Sequence, residues 1–298
     1  MPRNTNMTRI ISPPPLPIRP IDGNKGTFGR VLVVGGSEGM LGAPSMAGRA
    51  ALKLGSGLVQ IAVPRSILVA ALTITPELIG MGLENGTDEE VSPVDELKAA
   101  AEKASAIVIG PGLGQSADAF GRLWALAQIE KPMVVDADAL NLLSNQSFWP
   151  AWFKAHAVLT PHPGEMKRLA KLIGRDSVPT DDAGRIDIAT AAATAFGQTI
   201  VLKGNRTVVT DGQRVYINHT GDSSLAKAGT GDVLSGMIGC LLGQKMNSFD
   251  AACAAVYLHG RAGEIAGERL GVRCVLAHDV IDAIPATVGE YEARYGVT

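Results

Sequence analysis

Six short, almost wholly apolar runs constrain this chain more than any other feature: Val31–Val34, Val59–Val63, Ala106–Ile109, Met133–Asp136, Val158–Thr160 and Ile200–Lys203. Each is closed by Gly, Pro, Asp or Lys, and a run apolar on both alternating faces belongs inside a sheet covered on each side. Between the runs lie longer stretches whose apolar residues recur at three and four. Met166, Leu169, Ala170 and Ile173 do so, as do Val233, Leu234, Met237, Ile238, Leu241 and Leu242, which is the spacing of an amphipathic helix. Alternation of the two patterns is the sign of βαβ units. The expected class is therefore α/β, three-layer α/β/α with a central, mostly parallel sheet. Thr207–Thr210 and Arg214–Ile217, joined through Asp211-Gly212, read as an added hairpin, and from Phe249 onward the pattern is chiefly helical.

No internal repeat and no Gly/Ser linker divides the 298 residues. The expected organisation is one domain over residues 23–298 behind a Pro-rich arm, residues 1–22. That arm carries Arg3, Arg9 and Arg19, is broken by Pro13, Pro14, Pro15, Pro17 and Pro20, and lacks the apolar core of a signal peptide. It reads as an extended, polyproline-like segment, with a transit peptide as the weaker alternative. A net charge of −2 without long runs of one sign argues against a nucleic-acid surface. The longest apolar stretches, around Val59–Val63 and Val233–Leu242, fall well short of the ~20 residues of a membrane span. Cys240, Cys253 and Cys274 are odd in number and show no CxxC spacing, so buried reduced thiols are expected rather than a disulfide framework or zinc site. A cytoplasmic protein acting on small molecules is the expectation.

In open α/β sheets ligands bind beyond the carboxyl ends of the strands. The loops there are Gly35-Gly36-Ser37, Gly110-Pro111-Gly112-Leu113-Gly114, Asp136-Ala137-Asp138, Pro161-His162-Pro163-Gly164-Glu165 and Gly204-Asn205-Arg206. Nearly every strand end thus carries glycine, a carboxylate, His or Lys, more chemistry than connecting turns require.

Ala228-Gly229-Thr230-Gly231-Asp232 leads straight into the helix that begins at Val233. A helix amino terminus offers unpaired N–H groups and the positive end of a macrodipole, and glycines let a phosphate approach them. The Asp232 carboxylate can take a proton from a hydroxyl attacking a phosphoryl group held there; the plainer reading is a helix cap. Lys203-Gly204-Asn205-Arg206-Thr207 can hold nucleotide phosphates or form a solvated turn. Glu165 can contribute to a Mg2+ shell through water, or favour the helix dipole while His162 bonds the backbone. Asp136, Asp138 and Asn141 can orient a metal or sugar hydroxyls, or Asp138 can cap a helix. Gly110–Gly114 lacks the dinucleotide fingerprint's spacing.

Taken in order, Asn24–Ser37, Gly42-Ala43-Pro44, Gly55–Val59, Gly110–Gly114, Asp136–Asn141, Thr160–Glu165, Lys203–Thr207 and Ala228–Asp232 resemble the ADP- or ATP-dependent NAD(P)H-hydrate dehydratases of the ribokinase-like superfamily, over roughly residues 24–285. The resemblance implies a ribokinase-like fold and repair of the S-epimer of hydrated NADH or NADPH (NADHX, NADPHX). The ring hydroxyl would be phosphorylated from ADP or ATP, with Mg2+, and then eliminated. It implies Asp232 as base and Ala43, Gly112, His162 and Asp232 facing the hydrate. Lys203, Gly204, Asn205, Arg206, Thr207 and Gly231 would hold the nucleotide, the amides of Gly229, Thr230 and Gly231 would form an anion hole, and Glu165 would serve the metal. Relatives are often homo-oligomers. Asn24 and Met40 depart from the family, which often has His and an aromatic there. The epimerase domain of some relatives is not represented, so a separate epimerase is expected in the same pathway. The alternatives are a kinase of the same superfamily acting on a vitamin-precursor alcohol, and a non-catalytic nucleotide sensor.

Overall fold

The computed structural model describes residues 7–84 and 93–297; Arg3 of the arm lies outside them. Its strands are β1 Thr8–Ile10, β2 Arg30–Val34, β3 Leu58–Pro64, β4 Ile79–Leu83, β5 Ala106–Ile109, β6 Pro132–Val135, β7 His156–Leu159, β8 Thr199–Leu202, β9 Val208–Thr210 and β10 Arg214–Ile217. Its α-helices are α1 Gly42–Lys53, α2 Leu68–Ile74, α3 Pro93–Lys103, α4 Ala117–Ala127, α5 Asp138–Ser144, α6 Trp149–Trp152, α7 Pro163–Ala170, α8 Asp182–Phe196, α9 Thr230–Gly243, α10 Ser248–Leu270 and α11 Ala277–Tyr295. Among the described residues no helix is long and apolar enough to cross a membrane.

The strands form a sheet in the order β1-β10-β9-β8-β7-β6-β5-β2-β3-β4. All pairings are parallel except those β9 makes with β8 and β10. Alternation along β2 shows why the central runs are apolar throughout. Val31 and Val33 face a core built with α1, α9 and α10, while Leu32 and Val34 face a second core that includes residues of α3, α4, α5 and α7. The three-layer α/β/α arrangement expected of the sequence is the one observed.

Two strands went unanticipated, and both are sheet edges. β4 reads IGMGL, with glycines that weaken any strand signal. β1 lies within the Pro-rich arm and pairs in parallel with β10, Thr8 opposite Arg214 and Ile10 opposite Tyr216. Farther on, Leu16 is buried, bridges to Val297, and is followed in the packing by the Tyr291 hydroxyl, which donates to the carbonyl of Pro14 at 2.5 Å. The arm is extended but docked. The cysteine expectation also needs correction. Cys240 and Cys253 are buried, whereas Cys274 is exposed, because it sits in the turn between α10 and α11 rather than on an inward helix face.

The Gly-rich loops at the ends of β2 and β5 have a packing origin. Gly110 has φ +124°, and a Cβ there would overlap the carbonyl oxygen of Asp136; one at Gly35 would overlap that of Pro111. Gly36 N–H donates to the same Pro111 carbonyl at 2.9 Å. Three strand-end loops therefore interlock through their backbones, and side chains are excluded where they cross.

Candidate active site

Helix α9 starts without a side-chain cap: its N-cap is Gly229, in left-handed conformation at φ 89° and ψ −20°. Asp232 falls three residues later and makes no capping bond, so the plain reading of Asp232 as a helix cap is overturned. Gly229 supplies a conformation that an aspartate would strain to adopt, and the cap position is taken by the turn itself. The N–H groups of Gly231 and Asp232 make no hydrogen bond among the described residues, while Thr230 N–H has only a 3.5 Å contact to Lys227 O. Free amides at a helix start attract an anion.

Lys203 follows β8 and turns inward. Its Nζ lies 2.7 Å from Asp136 Oδ1 and 3.9 Å from Glu165 Oε2, so the turn it opens is not simply solvated. Asp136 Oδ2 accepts from the Ser235 hydroxyl at 2.6 Å, which ties the end of β6 to the first turns of α9. Ala137 has φ 51°, an uncommon conformation for a side chain with a Cβ, and it separates the neighbouring carboxylates. Asp138 points elsewhere, accepting Gly114 N–H at 2.9 Å. Asp138 is thus no cap of α5, whose N-cap is Ala137. Asn141 is engaged by Arg168 at 2.9 Å, so Asp136, Asp138 and Asn141 face three different partners rather than one metal or sugar.

His162 and Glu165 close a reciprocal capping box on α7. His162 Nδ1 accepts from Gly164 N–H at 2.9 Å, and Glu165 Oε2 accepts from His162 N–H at 2.8 Å. His162 Nε2 lies 3.3 Å from Glu165 Oε1. The backbone role anticipated as the plain alternative is present at Nδ1, and the ring is left half-exposed beside a buried carboxyl. Among the described residues no three His, Cys, Asp or Glu side chains gather as a metal cluster.

Electrostatics follow from burial. Burial pushes the Asp232 carboxyl up to about 7, with Asp136 adding to the rise and Lys203 opposing it. Burial likewise pushes Glu165 up to about 7 against the pull of Lys203. The His162 ring is held below its ordinary value by burial first and then by Lys203 and Arg168. Lys203 is held above the ordinary lysine value; burial alone would lower it, but Asp136, Glu165 and Asp232 outweigh that.

A cavity of about 860 Å3 brings His162, Lys203, Gly204, Asn205, Arg206, Thr207, Thr230 and Gly231 onto one wall, a size ordinary for a small-molecule site. Leu225, Leu234 and Val256 supply apolar surface to it. Arg206, at φ 57°, pairs with Asp182 at 3.0 Å. Ala43 and Gly112 do not line this cavity. They lie against each other, since a Cβ on Gly112 would stand 3.2 Å from that of Ala43, at the start of α1 and in the loop following β5, where the strand order reverses. Asp232 lies in the turn between Gly231 and the buried body of α9.

Two functional candidates escaped the sequence reading. Arg185 on α8 is buried and donates from Nη2 to Leu202 O at 3.1 Å and Lys203 O at 3.3 Å, fixing the strand end that carries Lys203. His259 on α10 is buried, lines the cavity and contacts Thr230 O at 2.8 Å. Each is a polar residue on an apolar helical stripe: Arg185 with Ile188, Ala189 and Ala192, His259 with Ala255, Val256 and Ala262. That misplacement was the available signal.

A family model described as NAD(P)H-hydrate dehydratase matches residues 31–286. A bifunctional NAD(P)H-hydrate repair enzyme from Moorella thermoacetica is 40% identical over 284 residues, 93% of this chain and 52% of that protein. An ADP-dependent (S)-NAD(P)H-hydrate dehydratase from Neisseria meningitidis is 38% identical over 269 residues, 88% of this chain and 86% of that protein. The chain spans about half the length of the first curated relatives it matches. An ADP/ATP-dependent NAD(P)H-hydrate dehydratase from Bacillus subtilis, co-crystallised with ATP and Mg2+, has a TM-score of 0.78 and 31% identity, covering 93% of this chain and 95% of that one.

Proposed function

We propose, on the premise that this chain belongs to the NAD(P)H-hydrate dehydratase family, that it dehydrates the S-epimer of hydrated NADH and NADPH in the cytoplasm at the expense of ADP or ATP. The observation that carries this reading is the uncapped start of α9. There a carboxyl poised near 7 follows directly on Gly231, which lines a cavity together with Lys203 and Arg206.

In this reading the nucleotide occupies the cavity, its phosphates reaching Lys203, the Gly204–Thr207 turn and the amides of Gly229, Thr230 and Gly231. The hydrate lies toward Ala43, Gly112 and His162. Asp232 takes the proton of the hydroxyl on carbon 6 as that oxygen attacks the terminal phosphorus, and the bond from phosphorus to the leaving nucleotide breaks. The amides stabilise charge on the transferred group without reorganising, which is electrostatic preorganisation. The phosphate group then departs with the electron pair of its bond to carbon 6. Carbon 5 loses a proton, and the ring double bond returns.

A divalent cation fits here only as one carried by the nucleotide. Glu165 already accepts from His162 N–H and lies 3.9 Å from the Lys203 ammonium, so phosphate oxygens and water would provide most of the shell, with Glu165 reaching it through water. Bound Mg2+ would neutralise phosphate charge.

The test is to mix the protein with acid-hydrated NADH, Mg2+ and either ADP or ATP. The dihydronicotinamide absorbance should return with stoichiometric release of inorganic phosphate. A stable phosphate ester without NADH would instead identify a small-molecule kinase, and no turnover with either nucleotide would end the proposal.

A further inference from the structure

The scheme above gives no task to His259, a buried imidazole whose Nε2 lies 2.8 Å from the carbonyl oxygen of Thr230. A carbonyl has no proton to give, so the ring must carry hydrogen on Nε2 and donate it. Burial pushes this imidazole down to about 4, with Lys203 acting in the same direction and the bond to Thr230 against it. The ring is therefore neutral at physiological pH, with Nδ1 bare.

The Thr230 carbonyl and the Gly231 N–H belong to one peptide unit, and that unit is planar. Fixing the carbonyl fixes the direction of the N–H. A hydrogen bond accepted at one end of a peptide also strengthens the donor at the other. Thr230 is the first residue of α9, so its carbonyl also closes the helix's first turn, and His259 is a second donor to an oxygen that has two lone pairs. Gly231 adds no side chain of its own to hold the peptide. The Thr230 hydroxyl, 2.8 Å from Leu225 O and 2.9 Å from Lys227 O, anchors the preceding side of the turn. His259 of α10 reaches the carbonyl of this peptide from a second helix.

We propose that His259 is a positioning residue of the nucleotide site: its Nε2–H holds the Thr230–Gly231 peptide so that the Gly231 N–H points at the phosphoryl group being transferred. This rests on the reading of the α9 turn as the phosphoryl site. His259 also lines the cavity, but in this role it acts through the peptide.

Three substitutions separate positioning from packing. His259→Leu removes the donor, His259→Gln can return an amide N–H near the position of Nε2, and His259→Asn is too short to do so. Losing one oxyanion-hole donor typically costs ~10²–10³ in kcat, and a misdirected donor should cost less, about 10–100-fold for the Leu and Asn variants. The Gln variant should stay within about fivefold of the parent, and nucleotide KM should move by less than about threefold throughout, as for an interaction made only in the transition state. If all three melt earlier but keep the parent kcat, or if Gln falls as far as Leu, the proposal is overturned. Should the Leu variant not fold, the Gln and Asn pair decides alone. Spectra of 15N-histidine-labelled protein should show the Nε2–H tautomer from pH 8 down to pH 5; the Nδ1–H tautomer or a charged ring would overturn the assignment. These readouts do not depend on the proposed substrate. If the parent protein recovers no NADH, the functional reading fails, while the histidine spectrum and the Gly231 amide still decide the role of His259. On adding ADP that amide should move downfield in the parent and Gln forms, and stay put in the Leu form.

Discussion

The Lys203 ammonium meets the Asp136 carboxylate at 2.7 Å across a sequence separation of 67 residues, and neither is open to solvent to any large extent. One charge is the reason the other tolerates its surroundings. Removing either partner of a buried pair typically costs about 3–5 kcal/mol because the survivor is left uncompensated.

Lys203→Ala is therefore expected to do two things: weaken nucleotide binding, read by calorimetry with ADP, and lower stability in urea by a few kcal/mol, on the order of that buried-pair penalty. Combining Lys203→Met with Asp136→Leu should recover much of the stability and none of the nucleotide affinity. Unchanged ADP affinity in Lys203→Ala would return the turn to a purely structural role.

Asp232→Asn should abolish turnover by a factor of about 10²–10⁴ or more, the usual contribution of a general base, while ADP binding persists. In the parent, activity should rise with pH through about 7, because burial keeps the carboxyl protonated below that. Stability runs the other way. The folded carboxyl titrates near 7 and the unfolded one near 3.8, so the folded state binds more protons between those values and stability falls as pH rises through the folded pKa. The Asn variant should melt above the parent at pH 8, with the gap narrowing as pH falls toward 4. An active Asn variant would sink the mechanism.

Glu165→Gln keeps an acceptor for His162 N–H but removes one of the charges that hold Asp232 up. The acid limb of kcat/KM should move to lower pH with little loss of stability. Glu165→Ala, which deletes the cap, should cost roughly 1 kcal/mol. A limb that stays in place in Glu165→Gln would show that the two carboxyls do not communicate.

Gly110→Ala should be severely destabilising, above about 4 kcal/mol, the range reserved for named structural faults. The backbone carbonyl of Asp136 occupies the space a Cβ needs, and φ is +124°. Expression of folded protein with a near-parental melting temperature would contradict the interlocked loops.

The central strands were legible because burial on both faces leaves an unbroken apolar run. Their ends were misjudged by a residue or two: β6 stops at Val135 and β8 at Leu202, so that Asp136 and Lys203 are the first residues freed to turn toward each other. The hairpin was legible from Asp211-Gly212. Edge strands were not, since β1 and β4 owe their existence to a partner strand rather than to their own composition. Motifs at strand ends gave one wall of the cavity as a contiguous stretch, Lys203–Thr207. Arg185 and His259 could not be found that way, for each acts from a helix on a backbone carbonyl distant in sequence, and only a polar side chain on an apolar helical stripe marked them.

The docked arm has a consequence for how the chain is made. Pro14 receives its hydrogen bond from Tyr291, 277 residues later, and Leu16 bridges to Val297. On a ribosome, β1 can pair once β10 has emerged, but Pro14 and Leu16 must wait for α11 and the residues beyond it. Until α11 is released, Leu16 stays exposed on a loose, proline-broken strand, the kind of segment that proteases enter first. Closing residues 14–16 thus depends on α11, and their susceptibility to brief proteolysis reports whether that helix has docked.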